Sequence, residues 1–122
     1  MTAPERSKRM LYLGNAFSLN MLEGEAERTL RITPINGVEA TQMLRAAEFE
    51  SVVGHPATAA VLSQRLGAKV EANRVNLILR PGDVLLVAQV LMPRLAEGQV
   101  LSEAEVAGLP IRYFLVGVGA EE

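Results

Sequence analysis

Residues 51–67 read SVVGHPATAAVLSQRLG, and the two halves obey different rules. Residues 51–55 are a short apolar extension that closes on Gly-His. Residues 56–66 have the length and composition of a helix. Pro56 fits the first helical position because its missing N–H would have been unpaired there anyway, and Gly67 supplies the stop. An extension running straight into a helix sets the pattern for the rest of the chain.

Working outward in both directions gives more elements of the same two kinds. Residues 10–13 (MLYL) read as a strand, and 28–34 (RTLRITP) alternate polar with apolar positions, the period of a strand with one face in the core. Residues 37–49 put Val38, Met43, Leu44 and Ala47 on one side at helical spacing. Residues 73–79 and 83–90 are β-rich runs around Arg80-Pro81-Gly82-Asp83, where Pro-Gly marks a turn and a hairpin is expected. Residues 91–101 (LMPRLAEGQVL) are irregular between Pro93 and Gly98. Residues 102–107 carry the Ser-x-x-Glu spacing of a capping box, and 111–118 close the chain as a central strand. About five strands with two or three helices imply a single α/β domain built on a mixed sheet over residues 10–122. Residues 1–9 (MTAPERSKR) have nothing to bury and are expected to form a flexible N-terminal arm.

Composition narrows the function classes. The chain has 122 residues, enough for a core without covalent staples. It has no cysteine and a single histidine, His55, so neither a disulfide framework nor a thiolate metal site is expected. Twelve basic and 14 acidic residues give a formal charge of −2, which argues against a protein that coats duplex nucleic acid. No apolar run approaches the ~20 residues of a membrane helix, and the polar start does not resemble a signal peptide. The expectation is a soluble cytoplasmic protein.

Several residues carry chemistry. His55 stands where the extension meets the helix, beside the first-turn N–H groups of Ala57 and Thr58, which attract phosphate oxygens. It is either a proton donor or acceptor there, or simply a cap or packed turn residue. Arg94 and Glu97, three apart, either pair with each other at the surface or belong to a loop that folds over a ligand, with the arginine gripping phosphate as a planar fork. Arg74 is a phosphate-binding candidate or a solvated strand-edge charge. Gln89 interrupts the apolar run VLLVAQV, where a buried amide needs partners. In LYLGNAFSLNML, residues 11–22, Asn15, Ser18 and Asn20 sit among large apolar residues, more polar groups than a turn requires.

These blocks in order, NAFSLNML at 15–22, Val53-Gly54-His55, Asn73-Arg74-Val75 and Arg94-Leu95-Ala96-Glu97-Gly98, resemble the small ring nucleases that viruses use as inhibitors of type III CRISPR immunity. The likeness runs from about residue 10 to residue 118, with NAFSLNML its most specific block. The resemblance implies an α/β homodimer that binds cyclic tetra-adenylate across its two-fold axis. It implies cleavage without metal or cofactor into linear di-adenylates with 2′,3′-cyclic phosphate ends, which shuts off effector nucleases in the cytoplasm, or the host cytoplasm if the gene is viral. By position, His55 matches the general acid, and Arg94 and Glu97 match the loop residues that take part in catalysis. Asn15, Ser18, Arg74 and Gln89 match ligand-binding positions, while Asn20 either binds ligand or caps backbone. Phe17, Leu19, Met21 and Leu22 would pack in the core or the dimer interface. The chain departs from the pattern in carrying one more residue between Gln89 and Arg94, in Pro93, and in Ala57, which lacks a hydroxyl. A different class is a non-catalytic dimer that sequesters the cyclic nucleotide, or a viral structural or nucleic-acid-associated protein on the same fold.

Overall fold

The computed structural model describes residues 10–24, 27–91 and 101–119. In chain order the elements are β1 (Leu11–Gly14), a 3₁₀ turn (Leu19–Met21), β2 (Leu30–Ile35), α1 (Gly37–Ala46), β3 (Glu50–Ser51), α2 (Pro56–Leu66), β4 (Val84–Val90), α3 (Glu103–Ala107) and β5 (Ile111–Val118). The five strands form one mixed sheet in the order β2-β5-β4-β1-β3. β1 runs parallel to both β3 and β4, and β5 runs antiparallel to β4 and β2. The α/β expectation holds, and β5 lies inside the sheet between β2 and β4, although the central strand is β4.

Strand alternation sends side chains to two cores. On one face Leu13, Leu86, Ala88 and Tyr113 meet Ala40 and Leu44 of α1 and Ala59, Leu62 and Leu66 of α2. On the other, Leu85, Val87, Val116 and Val118 are covered by Leu79 with Phe17, Met21, Leu22 and Leu77, all from irregular segments. Because β4 is buried on both faces as far as Ala88, its sequence is a continuous apolar run up to that point rather than an alternating one. A third, small cluster of Val61, Val106 and Leu109 fastens α3 to α2.

Local chemistry sets the helix ends. Asn36 and Glu39 form a reciprocal capping box at α1, with side chain to backbone bonds of 2.8 and 2.9 Å. Ser102 and Glu105 do the same for α3. Gly67 closes α2 in the left-handed region at φ 65°, its N–H donating to Ser63 O, a conformation that favours glycine.

Four local expectations are corrected. Residues 73–79 do not pair with β4 in a hairpin, because both edges of β4 are occupied by β1 and β5. That segment lies over the second face instead, where Leu77 and Leu79 pack and Leu79 forms an isolated parallel bridge with Leu22, while Ala72 just before it bridges Val53. α1 stops at Ala46, and Val38 is 66% exposed because Ala40 and Leu44, one helical turn apart, define the buried face. β2 is an edge strand whose Ile32 lies 56% exposed, so its alternation does not mark a fully covered face. Leu19 is 75% exposed and takes no part in this chain's core.

Candidate functional site

The parallel strands β1, β3 and β4 all end at one edge of the molecule, and β1 lies between the other two. Open α/β sheets bind ligands beyond such carboxyl ends, where neighbouring strands lead the chain in different directions. Asn15 immediately follows β1. Gly54 and His55 follow β3, and Gln89 lies at the end of β4.

Close packing brings these strand ends together. A Cβ at Gly14 would stand 3.1 Å from Cγ2 of Val52 and 3.3 Å from Cδ1 of Leu85, so glycine lets β1 sit tightly between its neighbours. The Val52 N–H donates to Leu13 O at 2.8 Å, continuing the β1–β3 pairing toward Gly54.

His55 is the N-cap residue of α2 by backbone, since its carbonyl accepts from the Ala59 N–H at 3.0 Å, yet its imidazole makes no capping bond and is exposed. The side chain is thus neither a cap nor a packed turn residue. The first-turn N–H groups of Ala57 and Thr58 are left uncapped by it, and they carry the positive end of the helix dipole.

Arg74 reaches the same place from the chain that follows α2. A Cβ at Gly54 would lie 3.5, 3.8 and 4.0 Å from Cγ, Cβ and Cδ of Arg74, so the arginine stem lies across the bare face of the glycine next to His55. Arg74 is not the edge guard of a strand.

Ser18 caps the 3₁₀ turn, its Oγ accepting from the Asn20 N–H at 3.2 Å. The cap is therefore Ser18 rather than Asn20, and both residues are exposed. Their turn is tied to the second-face cover by the Leu79 N–H donating to Met21 O at 2.7 Å.

Gln89 corrects the buried-amide expectation. It shares a face with Leu85 and Val87, but the cover over those two does not extend to it, and it is exposed. Opposite it on β5 stands Arg112, whose guanidinium carbon lies 5.0 Å from the Phe114 ring centroid. Sequence reasoning missed Arg112; its signal was a lone charge in an otherwise apolar strand. Arg94 and Glu97 lie outside the described residues, as does Pro93. Among the described residues no group of three or more metal-ligating side chains occurs, and no helix is long and apolar enough to cross a membrane.

A family model described as STIV B116-like matches residues 11–115. The chain belongs to the STIV B116-like family. It is 34% identical over 96 residues to uncharacterized protein 26 of Sulfolobus islandicus filamentous virus (isolate Iceland/Hveragerdi), covering 79% of this chain and 80% of that one. It is 34% identical over 109 residues to uncharacterized protein ORF117 of Acidianus two-tailed virus, covering 85% and 91%. Among solved structures it is similar to B116 of Sulfolobus turreted icosahedral virus, with a TM-score of 0.71, 27% identity, and coverage of 88% of this chain and 98% of that one. All three relatives come from viruses, and the fold is shared with the solved B116 structure.

Proposed function

We propose that this chain is a homodimeric, metal-independent ring nuclease that cleaves cyclic tetra-adenylate in the cytoplasm, a viral or host off-switch for type III CRISPR effectors. The observation that carries this reading is the approach of the Arg74 stem to Gly54, the residue before His55, whose exposed imidazole makes no capping bond at the start of α2. Asn15 follows β1, Ser18 caps the turn after it and Gln89 lies near the end of β4, and the four-block resemblance in sequence supports the same assignment.

The chemistry asked of these residues is modest. The substrate's own 2′-oxygen attacks phosphorus and loses its proton to solvent, the P–O5′ bond breaks, and His55 protonates the departing 5′-oxygen to leave a 2′,3′-cyclic phosphate. The protein needs only to hold the attacking oxygen in line, donate that proton and offset charge on the phosphoryl oxygens. Arg74 and the first turn of α2 supply positive charge locally in a chain of net charge −2. Arg94 and Glu97 complete the constellation in this reading. A two-fold dimer presents each group twice to a ring of four phosphates, so a single histidine per chain is enough.

The deciding assay incubates the purified protein with cyclic tetra-adenylate and chelator. Di-adenylate with a cyclic phosphate end is the expected product. Intact ring after prolonged incubation overturns the enzyme reading, and tight binding without turnover identifies a sequestering protein instead.

A further inference from the structure

Three polar bonds join the chain after α2 to the end of β3. The Asn73 side-chain amide donates to Ser51 O at 2.7 Å, the Ser51 hydroxyl donates to Glu71 O at 2.6 Å, and the Asn73 backbone N–H donates to Val53 O at 2.7 Å. The Ser51 hydroxyl also accepts from the Val53 N–H at 3.3 Å. β3 itself contributes only two residues to the sheet, so this side-chain lattice does much of what a longer ladder would do.

What the lattice holds in place is Arg74, the next residue along. No carboxylate among the described residues pairs with the Arg74 guanidinium. Its stem is located by Gly54, the residue before His55, on one side and by the Asn73 tether behind it, and the residue is exposed. An arginine with a fixed stem and an unneutralised head is suited to receive an anion at low entropic cost.

We propose that Ser51 and Asn73 form a clip that sets the position of the Arg74 guanidinium relative to His55, making Asn73 a positioning residue for phosphate binding. This inference rests on the ring nuclease reading for its ligand, but not for its geometry. Asn73 never touches the substrate; it acts through Arg74. Gly54 is the other half of the device. A Cβ there makes ordinary contact with the stem, whereas the two methyl groups of a valine would push it aside.

The test is a double-mutant cycle on cyclic tetra-adenylate binding, with Asn73→Ala, the uncharged Asn73→Leu of similar size, and each combined with Arg74→Ala. Asn73→Ala and Asn73→Leu should each weaken binding roughly tenfold in the parent chain and have no further effect once Arg74 is alanine. Ser51→Thr, which keeps the hydroxyl, should bind like the parent, and Ser51→Ala should resemble Asn73→Ala. Gly54→Val, which leaves the clip bonds in place, should show the same coupling to Arg74→Ala and serves as the independent probe if an Asn73 variant does not fold. Parent-like binding by the Asn73 variants, or an equal loss with and without Arg74, overturns the proposal. The Arg74 Nε–H resonance of the ligand-free protein separates the two levels of the argument. It should move in Asn73→Ala whatever the ligand, so failure of the parent chain to bind cyclic tetra-adenylate would overturn the functional reading alone, and an unmoved resonance would overturn the clip alone.

Discussion

The carboxylate of Asp83 accepts the backbone N–H of Met10, 73 residues away, at 3.2 Å, and the N–H of Arg80 at 2.9 Å. It is only 5% exposed, so one buried acid ties the entry of β1 to the turn that leads into β4. Asp83→Ala leaves two N–H groups without their acceptor and should destabilise the fold by about 1–3 kcal/mol. Asp83→Asn places an amide N–H₂ against one of the two donors and should not recover the whole loss. Urea unfolding of the three proteins checks both expectations.

His55→Ala should abolish turnover of cyclic tetra-adenylate while leaving affinity largely intact. The imidazole is exposed and makes no capping bond, so its removal takes nothing from the fold. Single-turnover kinetics beside equilibrium binding distinguish this outcome from an equal loss of both, which would place His55 in ligand recognition instead.

Tyr113 gives the fold an alkaline limit. Burial of its phenol, only 7% exposed, raises its pKa above the ordinary value, and the nearby Arg65 cation partly offsets this. A raised folded-state pKa for a group that is neutral when protonated means the contribution to stability is complete below the unfolded pKa of about 10 and is lost as pH climbs through the higher folded value. Thermal melting should therefore fall steeply in strong alkali, and Tyr113→Phe should flatten that fall. Tyrosinate absorbance followed with pH reports the same transition.

Helix capping can be read separately from the core. Asn36→Ala removes one arm of the α1 capping box and should cost about 1 kcal/mol. Leu62→Ala removes a fully buried side chain of α2 from the helix-side core and should cost about 2–5 kcal/mol. Chemical denaturation of both variants gives the comparison.

The elements whose residues speak for themselves were legible before any coordinates. Pro56 and Gly67 bracket α2, Ser102 and Glu105 announce α3, and the apolar runs of β4 and β5 mark strands buried on both faces. The polar cluster Asn15, Ser18 and Asn20 also stood out, because three small polar side chains among core residues have no purely local reason. The hairpin was misread for a physical cause. Residues 73–79 have strand composition, but composition does not reveal that β4 already has two partners. Gln89 was misread likewise, since a polar residue in an apolar strand looks buried until the extent of its cover is known.

The sequence by itself determined both ends of α2, the start of α3 and the strand character of β1, β2, β4 and β5, because caps, turns and hydrophobic period act over a few residues and need no partner far away. Only the tertiary structure decided that Gly54 receives the stem of Arg74, that Ser51 bonds the amide of Asn73, and that residues 73–79 cover a sheet rather than join it. Each of those depends on which edges and faces remain free after the strongest pairings have formed. That competition is settled by the whole chain at once, and no local stretch records its outcome.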